Sequence, residues 1–164
     1  MVFMGSSSDL EQMRPALEVL SNLQVTWEVH VTSAHRTPER TSELVRSAQA
    51  SGARAVLCGA GMAAHLAGVV AAQTRIPVLG VPLKGGMLDG MDALMSTVQM
   101  PPGVPVATFG VGSAGARNAA YFAARIVAQH RPEVAAALDV AWKAAQEKVL
   151  GADREVRRET GGEA

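Results

Sequence analysis

An imidazole and a guanidinium stand side by side in Ser33-Ala34-His35-Arg36-Thr37-Pro38. Together they can move a proton and hold an anion at one place. Histidine changes charge near neutral pH, and arginine is a fixed planar cation that matches phosphate or carboxylate oxygens. Three other short stretches carry groups that complement the pair. Gly5-Ser6-Ser7-Ser8-Asp9 offers a glycine for close backbone approach, hydroxyls at Ser6 and Ser8, and a carboxylate at Asp9 that suits ribose hydroxyls. The plainer alternative there is that Ser8 or Asp9 only caps a helix. Gly59-Ala60-Gly61-Met62-Ala63-Ala64-His65 offers glycine N–H groups, notably at Gly61, and a second imidazole in an apolar stretch. Lys84-Gly85-Gly86 reads as a flap, and Gly110 to Gly115 as turn chemistry. One proton-transferring His, one Arg, hydroxyls, a carboxylate and glycine loops suit proton transfer on a small phosphorylated ligand without metal. His30 and His130 read as incidental, and Cys58 as packing in a buried strand. No spacing resembles a zinc site or a serine elbow. The serine-rich turn fits neither the Walker A pattern nor the dinucleotide fingerprint.

These groups need elements that bring them to one edge. Met1 to Met4 reads as a first strand, and Leu10 to Leu23 as a helix with apolar residues at Leu10, Met13, Leu17 and Leu20. Val25 to Val31 alternates like a strand. A helix is expected from Pro38 to Ala50, with Thr37 at its N-cap, Pro38 in its first turn and Ser51-Gly52 closing it. Strands follow at Ala53 to Cys58, Pro77 to Val81 and Val104 to Thr108. Helices are expected at Met62 to Thr74, Met91 to Met100, Ala116 to Gln129 and Pro132 to Leu150. Strand and helix alternate five times, and several strands are almost wholly apolar. That pattern predicts an α/β fold: a flavodoxin-like, three-layer α/β/α domain on a five-stranded parallel sheet, over residues 1–150. Residues 151–164 read as a polar, frayed tail. In such a sheet every strand-to-helix turn lies at the carboxyl edge, where ligands bind. The positive end of the helix beginning at Pro38 disfavours an imidazolium beside it, which suits His35 to accept a proton.

Composition narrows the partners. The 164 residues fit one domain, and 48% apolar content excludes a disordered chain. Fifteen basic and fifteen acidic residues cancel, so no basic excess points to nucleic acid or anionic lipid. One cysteine permits no internal disulfide and accords with a reducing, cytoplasmic setting. Met1 to Gly5 has no basic region and is too short for a signal peptide. Ala55 to Thr74 lacks Asp, Glu, Lys and Arg, but three glycines and His65 interrupt it, so it reads as a buried strand, a turn and a buried helix and not as a membrane span. The helices expected at Met62 and Ala116 have almost no polar face, which predicts a homo-oligomer that covers them.

Six motifs then carry a resemblance that spans Met4 to about Leu150. They are Met-Gly-Ser-Ser-Ser-Asp at 4–9, Ser-Ala-His-Arg-Thr-Pro at 33–38, Gly-Ala-Gly-Met-Ala-Ala-His-Leu at 59–66, Pro-Val-Leu-Gly-Val-Pro at 77–82, Ser-Thr-Val-Gln-Met-Pro at 96–101 and Gly-Val-Pro-Val-Ala-Thr at 103–108. The chain resembles the N5-carboxyaminoimidazole ribonucleotide mutases, the class I catalytic subunits of phosphoribosylaminoimidazole carboxylase in purine biosynthesis. His-Arg-Thr-Pro, in place of His-Lys-Gly-Pro, is similar to the mutase class and unlike the class II carboxylases that use carbon dioxide directly.

The resemblance implies a homo-octamer with sites at subunit contacts, and no metal or organic cofactor. It implies that a carboxylate moves from N5 of the aminoimidazole ribonucleotide to C4 through trapped carbon dioxide. His35 matches the family's acid and base. Ser6, Ser8, Asp9, Ser33 and Arg36 match residues that hold phosphate and ribose, and Gly61 and His65 match the loop facing the imidazole and its carboxylate. The chain departs from the pattern at Met62 and Ala67, where a Gly and a Pro are usual, and at Gly85-Gly86, where Ser or Lys is usual. A non-catalytic nucleotide- or flavin-binding module and a class II carboxylase are the alternatives; the absence of aromatic residues near the loops speaks against flavin stacking.

Overall fold

The computed structural model describes residues 1–162, a parallel sheet between two layers of helices. Its strands are β1 (Val2–Met4), β2 (Val29–Val31), β3 (Val56–Gly61), β4 (Val78–Leu83) and β5 (Ala107–Thr108). Its helices are α1 (Leu10–Asn22), α2 (Pro38–Ala50), α3 (Leu66–Ala71), α4 (Met91–Val98), α5 (Ser113–Ala128) and α6 (Pro132–Thr160). The strand order is β2-β1-β3-β4-β5, all parallel, which is the flavodoxin-like arrangement. The last two residues of the expected tail lie outside the described ones.

Alternation along each strand divides the core. Val2, Met4, Leu57, Leu79, Val81 and Leu83 face α1 and α5, whose contact is made by Met13, Ala16, Leu20, Ala116, Ala119, Ala120 and Ala123. Phe3, Val56, Cys58 and Val78 face α2 and α3 through Leu44, Val45, Ala48, Leu66 and Val70. Both faces of the sheet are covered, so its strands carry apolar residues on both sides. Cys58 is 2% exposed, and burial drives its thiol far up from its ordinary range, which fits packing and not nucleophilic chemistry. No helix among the described residues is long and apolar enough to cross a membrane.

Several boundaries move, for physical reasons. The strand expected from Val25 begins only at Val29, because β1 offers three partners and Val2 pairs with Val29. The strand expected from Val104 is reduced to two residues, because Pro105 has no N–H for the ladder and only Ala107 and Thr108 pair with β4. The expected stop near Leu150 is passed: Gly151 lies inside α6, which runs to Thr160. The real stop is Gly161 at φ 68°, where the Gly162 N–H bonds the Arg157 carbonyl at 2.8 Å. The helices expected to be apolar all round bury their small residues inward, against the sheet. The exposed apolar side chains lie mainly on α6 (Val140, Trp142, Val149, Leu150, Val156) and α4 (Met91, Met95, Val98), with Phe122 on α5.

Candidate functional site

Hydroxyls build the turn that carries His35. Thr32, 2% exposed, closes β2 by donating its N–H to the Met4 carbonyl, and its Oγ1 lies 2.8 Å from Thr41 Oγ1 on α2. Thr37 occupies the N-cap of α2 as expected, but its hydroxyl does not cap the helix. It accepts from the Ser33 N–H at 2.9 Å and donates to the Ser33 carbonyl at 3.1 Å, while the Thr37 N–H also bonds that carbonyl. The turn is thus closed on itself and projects His35 and Arg36 outward. Ser33 Oγ accepts from Arg36 N at 3.2 Å and Nε at 3.4 Å, and Arg36 Nη2 donates to the Gly5 carbonyl at 3.2 Å. Arg36 therefore lies across to the first turn and leaves guanidinium N–H groups for an anion.

The first turn is a capping box. Ser6 caps a single 3-10 turn, Ser7–Asp9, accepting from Ser8 N at 3.3 Å and Ser8 Oγ at 2.8 Å, and its own N–H donates to Asp9 Oδ2 at 2.9 Å. Neither Ser8 nor Asp9 caps α1 by its side chain, which corrects the plainer sequence alternative. The Asp9 carboxyl titrates above its ordinary 3.8 because burial outweighs hydrogen bonds from the Ser6 and Gly5 backbone. The folded chain keeps that proton where the unfolded chain has lost it, so stability falls as pH rises from 3.8 through the folded value and is level above it. Asp9→Asn keeps an acceptor for Ser6 and is expected to flatten that fall, leaving stability at neutral pH unchanged or higher. Urea midpoints across acid and neutral pH check it; an undiminished fall in the variant would show that another group titrates.

The third turn differs from expectation. Gly59 to Gly61 are strand and not turn, because β3 pairs with β4 as far as Gly61 opposite Leu83. A Cβ on Gly61 would stand 3.4 Å from the Leu83 carbonyl oxygen, so the two strand ends abut. The chain then reverses over Met62 to His65 with tight N–H bonds from Ala64 to Met62 and His65 to Ala63, and α3 starts only at Leu66. His65 is the N-cap residue of α3, not part of its first turn as the sequence predicts. Met62 takes φ 57°, a left-handed conformation that side chains other than glycine rarely adopt.

His35 Nε2 and His65 Nδ1 are 2.8 Å apart, with the rings edge to face at 86°. At that separation one nitrogen donates and the other accepts, so the two imidazoles share a single proton between them. A cavity of about 550 Å³ opens over the pair. Ser6, Ser8, Asp9, Ser33, His35, Arg36, Gly61 and His65, the eight residues expected at the site from the turns and the resemblance, all line it. His30 sits on the edge strand and packs on Phe3, and it does not line the cavity. Larger hollows lie elsewhere among the described residues, along α6, but they hold no comparable set of proton-transferring and anion-holding groups.

Sequence reasoning misses Gln12. Its side chain donates to the Lys84 carbonyl at 3.0 Å and accepts from the Lys84 N–H at 2.9 Å, tying the start of α1 to the loop after β4. Lys84 and Gly85 thereby join the cavity wall. A glutamine near a helix start gives no local sign of such a clamp; only the sheet order brings it to Lys84.

The AIR carboxylase family matches residues 1–148. A protein of Pyrococcus abyssi named N5-carboxyaminoimidazole ribonucleotide mutase is 52% identical over 133 residues, covering 81% of this chain and 75% of its own. A protein of the same name from Haemophilus influenzae is 51% identical over 127 residues, covering 77% of each. The crystal structure of Treponema denticola PurE superposes with a TM-score of 0.85 over 95% of this chain and 96% of its own; at 24% identity it speaks for the fold. The motifs, the strand order and a match that runs from Met1 far into α6 agree: the chain belongs to the AIR carboxylase family.

Proposed function

We propose that this chain is an isomerase that converts N5-carboxyaminoimidazole ribonucleotide to 4-carboxy-5-aminoimidazole ribonucleotide in purine biosynthesis, within the cytoplasm. The observation that carries the reading is the His35–His65 pair, 2.8 Å apart, in a cavity whose first-turn side is lined by Arg36, Ser33, Ser6 and Ser8. Arg36 and the serine hydroxyls hold the phosphate, and Asp9 accepts from the ribose. His35, protonated as the anionic substrate binds, gives a proton to N5 as the N5–carboxyl bond breaks, which leaves carbon dioxide, a free amine and a neutral imidazole. C4 then attacks the carbon dioxide, and His35 takes back the proton that C4 carried. The second transfer returns His35 to its starting state, so charge and protons balance, and the hydrogen bond with His65 holds the ring in place between the two transfers. The backbone at Gly61 faces the ring and its carboxylate. The test is conversion of the N5-carbamate by purified chain in a chelator, without ATP or added bicarbonate. Dependence on bicarbonate, with activity on the uncarboxylated ribonucleotide, would mark a direct carboxylase instead. Tight mononucleotide binding without turnover would mark a binding module.

The chain is further proposed to assemble as a homo-octamer. On α6, Leu138, Trp142, Ala145, Val149, Ala152 and Val156 follow alternating spacings of four and three, the pattern of a helix-pairing seam. Trp142 is 67% exposed and Val149 69%, which a lone subunit would leave in water. Light scattering is expected to give the mass of an oligomer for the parent chain and a smaller species for Trp142→Glu. A monomeric parent chain would overturn the assembly.

A further inference from the structure

We infer that Met62 closes the cavity: its side chain seats on Gly86 of the loop after β4 and keeps the cleaved carbon dioxide inside. The inference rests on the reaction proposed above and names the part of the chain that keeps its two halves together.

Two observations meet at this contact. The first is strain. Met62 holds φ 57° although glycine would occupy that conformation freely, and at 61% exposure its side chain gains little burial to offset the cost. Backbone strain of this kind, in a residue lining a cavity, points to a task for the side chain. The second is the partner. A Cβ on Gly86 would stand 3.3 Å from Met62 Cγ and 3.3 Å from Asp92 Oδ2, so the Met62 side chain passes close over Gly86. Two of the positions at which the chain departs from the pattern it resembles, Met62 and Gly86, are therefore neighbours.

The loop beneath that side chain is anchored at its ends and sparsely packed between them. Its start is held where Gln12 grips both backbone groups of Lys84. Its end is held at Gly90, φ 93°, where a Cβ would run into Val111. Between these anchors lie Gly85 at φ 152° and Gly86 at φ 68°, then Met87, 98% exposed, and Leu88, 60% exposed. The only ion pair across the segment among the described residues is Lys84 to Asp89 at 3.6 Å, between side chains 59% and 77% exposed, which binds weakly. An unbranched thioether over Gly86 makes an apolar closure that adapts to its partner. Carbon dioxide is small and apolar, and water reaching the pocket would let it leave before C4 attacks.

The test is a single-turnover experiment with enzyme in excess over the N5-carbamate, quenched and analysed for two products. Carbon dioxide that is captured appears as the C4-carboxylate; carbon dioxide that escapes leaves the uncarboxylated ribonucleotide. Met62→Gly relaxes the backbone and is expected to fold at least as well as the parent, judged by its melting temperature. Its uncarboxylated fraction is expected to rise about tenfold, the effect of one decade in the relative rates of escape and capture. Met62→Leu restores bulk over Gly86 and is expected to return most of the coupling, which a purely structural role for the backbone at 62 would not produce. A parent chain that converts the carbamate while Met62→Gly partitions as the parent does would remove the closure and leave the reaction standing. A parent chain that converts none would remove the reaction, and the closure with it.

Discussion

His35→Asn should lower turnover of the N5-carbamate by about 10³-fold, with substrate binding changed less than about threefold. The proposed reaction asks the same nitrogen to give a proton and then to take one. An amide can hydrogen-bond at that place but cannot exchange a proton with carbon at neutral pH. His35→Gln is the sharper version, because its amide nitrogen reaches the position of Nε2 and keeps a partner for His65 Nδ1, 2.8 Å away in the parent. It is expected to fall as far as His35→Asn, since geometry is then kept and proton exchange alone is lost. His65→Asn is expected to fall less, by about tenfold, because His65 holds the His35 ring and does not meet C4. Both rings are exposed at the cavity, so denaturation midpoints should stay near the parent's. Steady-state kinetics beside ligand titration separate the two effects. A His35→Gln chain within tenfold of parent turnover would take the acid and base role away from His35.

The placement of this ring was legible before any coordinates, for a reason that lies in topology. Alternating apolar strands and helices force a parallel sheet, and a parallel sheet puts every strand-to-helix turn at one edge. Gly5, His35, His65 and Lys84 sit on four such connections, so their convergence at one edge follows from the topology. Ser51-Gly52 after α2 was equally legible, since Gly52 takes φ 71° where the helix must stop.

What was not legible depends on partners distant in the chain. Residues Val25 to Glu28 look like strand, but a ladder is only as long as its neighbour, and β1 pairs through three residues. Gly151 looks like a stop, yet helical backbone tolerates it, while Gly161-Gly162 supplies the left-handed turn and the carbonyl bond that end α6. Gln12 and Lys84 are 72 residues apart and meet only through the sheet. The left-handed backbone at Met62 contradicts the residue type found there, so no propensity argument could place it. The pattern is consistent: local signals set which elements exist, and pairing or strain sets where they end. Gln12, which sequence passed over, works by holding the backbone of Lys84 at the edge of the cavity.

Gly115→Ala is expected to destabilise the fold by about 3 kcal/mol, or roughly 10 °C in melting temperature for a domain of this size. Gly115 sits in the first turn of α5, and a Cβ there would overlap the carbonyl oxygen of Gly110 in the loop before it. A carbonyl oxygen is not the flexible end of a side chain, so relief needs movement of the loop or of the helix start. The loop is held from both sides. Phe109 N–H bonds the Gly80 carbonyl at 2.9 Å and Gly112 N–H bonds the Pro82 carbonyl at 2.8 Å. The helix is held as well, since Ala116, Ala119, Ala120 and Ala124 are wholly buried at close approach to the sheet and α1. Even one methyl group must therefore break a backbone bond or open that packing. Gly151→Ala serves as the contrast. Gly151 lies inside α6 with only the Arg154 guanidinium near, so the same substitution should stabilise by about 0.5–1 kcal/mol. Opposite signs for one chemical change would show that contact with Gly110, and not the loss of a glycine, decides the outcome. A Gly115→Ala chain as stable as the parent would mean that the loop before α5 yields freely.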